Sequence, residues 1–80
     1  MTEKNKDIFT TVLEDIHTAF DGCDKVYQAE IELRVLLRTV KALRERGKIT
    51  KLENELLISS VNVNYTRASR RIMNKITGKA

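Results

Sequence analysis

The sequence predicts an all-α fold, a compact bundle of three or four helices. Three observations carry that expectation. Apolar residues recur at three- and four-residue spacing along most of the 80 residues. There is no proline anywhere, so no segment is barred from a helix interior. The three glycines, at positions 22, 47 and 78, stand where each periodic run stops. Residues 1–6 are read as a flexible N-terminus and residues 7–78 as a single helical domain.

The first helix is read from Ile8, Val12, Ile16 and Phe20, which recur every fourth residue, with Phe9, Leu13 and Ala19 widening the stripe. Asp7, Glu14 and Asp15 lie off that stripe, and Gly22 is expected to end the helix in a left-handed cap. Asp24 is the expected N-cap of the second helix, over 24–46. Val26, Ala29, Leu33, Leu36, Val40 and Leu43 form its stripe, and Ile31, Val35 and Leu37 broaden it. So wide an apolar arc predicts a central helix with neighbours on more than one side, the first helix packing on it. Gly47 ends this run. Thr50 and Glu53 then have capping-box spacing, each side chain able to satisfy the other's free amide.

Residues 51–77 admit two readings. Leu57, Val61, Tyr65, Ala68, Ile72 and Ile76 keep near four-residue spacing, which suits one long helix. Residues 61–66, Val-Asn-Val-Asn-Tyr-Thr, are mediocre helix formers, which suits two helices joined by a turn at about 61–64.

Charge is sorted along the chain. Residues 1–33 hold eight carboxylates against three lysines, while residues 34–80 hold twelve basic side chains against Glu45, Glu53 and Glu55. After Glu55 there is no acid, yet Arg67, Arg70, Arg71, Lys75 and Lys79 follow. With a pI near 9.5, such a field suits nucleic acid, an acidic protein surface or anionic lipid.

Chemistry is sparse. One histidine and one cysteine, His17 and Cys23, are too few for a structural zinc site. A single cysteine also excludes an internal disulfide framework and fits a reducing, cytoplasmic setting. Asp7, Glu14, Asp15 and Asp21 are spread over more than one helical face and read as a solvated surface, not a metal cluster. Tyr27 and Tyr65 read as core or rim residues. No glycine-rich phosphate loop or nucleophile elbow is present, and no apolar run approaches the ~20 residues of a membrane span. The expectation is a non-enzyme without metal or cofactor. So short a chain has a small core, which a homodimer would enlarge.

Under the two-helix reading, residues 53–74 resemble a helix-turn-helix. Val63-Asn-Tyr-Thr-Arg-Ala-Ser-Arg-Arg-Ile-Met-Asn74 is similar to recognition helices of the lactose-repressor family. Tyr65, Arg67, Ala68 and Arg70 also resemble the pattern of the FtsK translocase gamma domain. Ile58 and Arg71 stand where those motifs carry a small and an apolar residue. The resemblance implies that Asn62 occupies the turn, that Asn64 caps a recognition helix, and that Thr66, Arg67, Ser69, Arg70 and Arg71 enter the major groove or bind its phosphates.

The leading expectation is therefore a small regulator binding DNA or RNA through Asn64, Thr66, Arg67, Ser69, Arg70, Arg71 and Lys75, assisted by Arg34, Arg38 and Lys41. The alternative is a small accessory protein of phage or mobile-element type, such as a lysis-timing inhibitor or polymerase-binding factor, that docks on a larger protein without nucleic acid. Geometry separates them. Two basic stripes on one face favour nucleic acid, and stripes that point apart favour protein docking.

Overall fold

A computed structural model describes residues 7–78, in three helices: α1 (Ile8–Asp21), α2 (Val26–Glu45) and α3 (Lys51–Ile76). The expected flexible segment 1–6 lies outside the described residues. The all-α expectation holds, with three helices.

Each helix starts and stops for a local reason. Asp7 Oδ1 accepts from the Thr10 backbone N–H at 2.8 Å, capping α1. At the other end Gly22 lies in the right-handed region, φ −83°, ψ −2°, so the expected left-handed cap is not formed. The Gly22 and Cys23 N–H groups instead donate to Thr18 O and Phe20 O. The N-cap of α2 is Lys25, not Asp24. Gln28, one turn inside α2, reaches back, its Oε1 accepting from the Asp24 N–H at 2.8 Å and the Lys25 N–H at 3.2 Å.

The α2–α3 connection follows the sequence closely. Gly47 takes φ +72°, a conformation that favours glycine. The Lys48 N–H donates to Leu43 O and the Gly47 N–H to Arg44 O, the two bonds of a Schellman motif. Ile49 then buries itself, only 4% exposed, and anchors the turn in the core. Thr50 and Glu53 form the capping box, with bonds of 2.9 and 3.1 Å.

α3 runs unbroken for 26 residues, about 39 Å at 1.5 Å per residue. The two-helix alternative for residues 51–77 therefore fails: there is no turn at 61–64, and no non-glycine residue among those described has positive φ. Weak propensity in 61–66 is overridden in two ways. Val61 and Asn64 face inward and are buried, and tertiary burial outweighs the few tenths of a kcal/mol per residue that propensity costs. Two polar side chains that could compete with the backbone are bonded along it, with Asn64 Nδ2 donating to Ser60 O at 2.8 Å and Thr66 Oγ1 to Asn62 O at 3.0 Å.

α3 is also the central helix. It packs extensively on both α2 and α1, whereas α1 and α2 touch only slightly. The sequence placed α2 at the centre because Ile31 and Val35 widen its arc, but both are about half exposed. They face solvent. The core is built from Val12, Ile16 and Phe20 of α1, Ala29, Leu36 and Val40 of α2, and Leu57, Val61, Ala68 and Ile72 of α3. Ile8, first in the α1 stripe, is left 39% exposed.

Candidate interaction surfaces

The residues expected to bind nucleic acid do not form one site. Arg71 is used structurally. Its Nη2 donates to Cys23 O at 2.8 Å and to Phe20 O at 3.2 Å. These carbonyls lie at the end of α1, where the helix dipole is negative; Phe20 O also accepts from the Cys23 N–H at 3.2 Å, and Arg71 adds a charged donor to both. Arg71 thus caps α1 from α3, across 48 and 51 residues of chain. Asn64 is not an N-cap. It sits mid-helix, is 9% exposed, and spends its amide on Ser60. Ser69 Oγ is enclosed by protein without a hydrogen-bond partner, so that hydroxyl is not presented outward. Thr66, Arg67, Arg70 and Lys75 are exposed.

Arg34, Arg38 and Lys41 are exposed on α2. Arg34 and Arg38 each stand two residues from Leu36, and Arg38 two from Val40, so each is about 200° around the helix from the buried stripe. Arg70 bears the same relation to Ala68 and Ile72 of α3. Since α2 and α3 pack through their buried stripes, these arginines occupy the backs of the two helices and point apart. Arg67 lies nearer the seam with α1, where with His17, Phe20, Asp21, Asn64, Ala68 and Arg71 it lines a cleft of about 190 Å³. Asp21 mixes negative charge into this cleft, so it is not a clean anion site.

The sequence reading assigned Ile31 and Val35 to a widened core arc and Tyr27 to core or rim packing, whereas all three lie on the outer face of α2. Tyr27, Ile31 and Val35, at four-residue intervals on α2, are 57, 50 and 49% exposed. On α3, Leu56, Val63 and Met73 are about half exposed and Leu52 more so. With Ser59, Thr66 and Arg70, all exposed, they alternate in steps of four and three, the spacing of a coiled-coil seam. The signal was present as a second periodicity out of phase with the core stripe.

Cys23 is buried, its Sγ donating to Ala19 O at 3.3 Å. Burial foremost, with Glu32 adding to it, pushes the thiol's pKa up, which keeps it protonated and unreactive. Phe20 and Tyr65 meet edge to face at 6.3 Å between centroids, so Tyr65 is a packing residue. Among the described residues, no group of three or more His, Cys, Asp or Glu could hold a metal, and no helix is long and apolar enough to cross a membrane. No protein-family model, curated protein or solved structure matches the chain.

Proposed function

We propose that this chain is a small docking module that binds a larger protein through the outer face of α2. One observation carries the reading: Tyr27, Ile31 and Val35 form a half-exposed apolar stripe on the side of α2 turned away from the core. A chain with so few core residues gains nothing in folding from leaving three large side chains in water. Apolar side chains exposed in a row and rimmed by polar ones are characteristic of interaction surfaces. Arg34, Arg38 and Lys41 supply that rim, so the complementary partner surface is apolar and flanked by carboxylates. Aromatic and arginine residues together are the usual anchors of such contacts.

Immobilised chain, exposed to nuclease-treated lysate of its host, tests the reading. A partner retained by the parent chain and lost with Ile31→Asp supports it. Equal retention by the parent and the variant counts against this face.

A second reading is kept by a separate observation. Arg67, Arg70 and Lys75 are exposed on a helix without an acid after Glu55, which suits phosphate contacts on DNA or RNA. Electrophoretic mobility shift at ~50 mM and ~200 mM salt checks it, because phosphate contacts weaken steeply over that range. Under the docking reading no shift appears even at the lower salt.

A further inference from the structure

The outer face of α3 has a shape of its own. A shallow concavity of about 360 Å³ lies on it, lined by Asn62, Val63, Thr66, Arg67 and Arg70. Val63, Thr66, Arg67 and Arg70 stand at i, i+3, i+4 and i+7. Those four positions frame the hole that receives a knob from a facing helix in knobs-into-holes packing. The seam running through it (Leu52, Leu56, Ser59, Val63, Thr66, Arg70, Met73) is solvent-exposed throughout and about 32 Å long at 1.5 Å per residue.

We infer that the occupant of this seam is α3 of a second copy, in antiparallel orientation, with Leu56 of each copy seated in the concavity of the other. Three features of the chain select this arrangement. First, charge is uneven along α3: its first turns carry Glu53 and Glu55 against Lys51, a net negative charge, and its last turns carry Arg67, Arg70, Arg71 and Lys75 with no acid. Parallel pairing would set Arg70 against Arg70, a like-charge contact inside the seam near its C-terminal end. Antiparallel pairing sets the acidic start of one helix against the basic end of the other.

Second, placing Leu56 in the concavity fixes the register. Leu56 then meets Thr66 of the other copy, Ser59 meets Val63, and Leu52 lies under the aliphatic stem of Arg70. The small Ser59 falls beside the two-fold axis, where the helices approach most closely. Third, the same register brings Glu53 of one copy beside Arg67 and Arg70 of the other. Glu53 is a capping residue whose Oε1 is held by the Thr50 N–H, so its carboxylate is already fixed at the interface edge. The pairing uses the same patch on both copies and therefore closes as a dimer. It leaves the outer face of α2 free, so it stands or falls independently of the docking reading.

A single helix seam lies at the small end of stable interfaces, so the dimer is expected in the micromolar range or weaker. Sedimentation equilibrium of the full chain from ~10 μM to ~1 mM spans that range. The expected result is reversible dimerisation that weakens as salt rises. Leu56→Asp should weaken association by about tenfold or more, as loss of a central anchor does. Its side chain lies outside the core, so circular dichroism should show an unchanged helix content. Glu53→Gln retains the capping box, which glutamine also satisfies, and should weaken the dimer by roughly twofold to fivefold through loss of charge alone. A chain monomeric at ~1 mM would overturn the inference. So would a dimer that Leu56→Asp leaves as tight as the parent. A dimer lost with Ile31→Asp but kept with Leu56→Asp would assign self-association to α2 instead.

Discussion

The two seams that α3 makes are built differently. Against α2 it packs along a long apolar interface, to which α2 contributes Ala29, Leu36 and Val40. Against α1 the contact is smaller, and polar and aromatic fastenings join the apolar packing. Arg71 caps the Phe20 and Cys23 carbonyls, and Tyr65 meets Phe20 edge to face. A short helix with a limited stripe adds little area, so each directional contact counts for more of its attachment. The difference also shows how poorly charge alone predicts use. Arg70 and Arg71 are neighbours in sequence and both are exposed, yet 100° of helix rotation lets only Arg71 reach across a seam to complete another helix.

Truncating the shared core should break both seams at once. Leu57 is fully buried, and Leu57→Ala should lower stability by about 2–5 kcal/mol, from lost transfer free energy and the cavity left behind. Urea denaturation measures it, with a single cooperative transition expected at lower denaturant.

Removing the clasp should separate the seams. Arg71→Met keeps the apolar stem but takes the charged donor from the Cys23 carbonyl and leaves Phe20 O only its Cys23 N–H bond, at a cost of roughly 1–3 kcal/mol. Hydrogen exchange should show amides of α1 losing protection before those of α2 and α3. Uniform loss across all three helices would mean that the α1 seam is not the weaker one.

A smaller effect is expected where α3 begins. Thr50→Ala removes the cap acceptor for the Glu53 N–H and should cost about 1 kcal/mol, read from the thermal midpoint. Ser69→Ala makes the converse point. An enclosed hydroxyl without a partner contributes nothing to offset its desolvation, so this variant should be neutral or slightly stabilising.

Titration gives the finest test. The bonds from Thr10 hold the Asp7 carboxyl below its ordinary pKa, so its contribution is present above the unfolded value. That contribution is lost as pH falls through the lowered folded value. In acid, fraying should begin at the start of α1, and Asp7→Asn, which can still cap, should flatten this dependence. Cys23 has the opposite sign. Its raised pKa means that stability falls as pH rises past the thiol's unfolded value, because the unfolded chain releases its proton first.

Much of the fold was legible in the residues. Gly47, Thr50 and Glu53 announced the α2–α3 connection because caps and positive φ are satisfied within a few residues of chain. The buried stripe of each helix was legible because burial selects for side-chain type at helical period. Besides the Gly22 cap and the Asp24 N-cap, two larger features were misread. The weak propensity of 61–66 suggested a turn, since propensity is local while the burial of Val61 and Asn64 is not. Ile31 and Val35 suggested a central α2, since an apolar side chain looks alike in sequence whether it faces a neighbour or water.

The sequence by itself determined that the chain is helical, where two of its helices are capped, and which residues are apolar enough to make a core. These follow from interactions spanning three or four residues. Only the tertiary structure decided that α3 is one helix and the central one, that Arg71 caps α1, and that Arg34 and Arg38 stand on the back of α2, away from Arg70 on the back of α3. Those outcomes depend on the angle at which one helix meets another. That angle is set by the packing of side chains far apart in the chain, which no local pattern encodes.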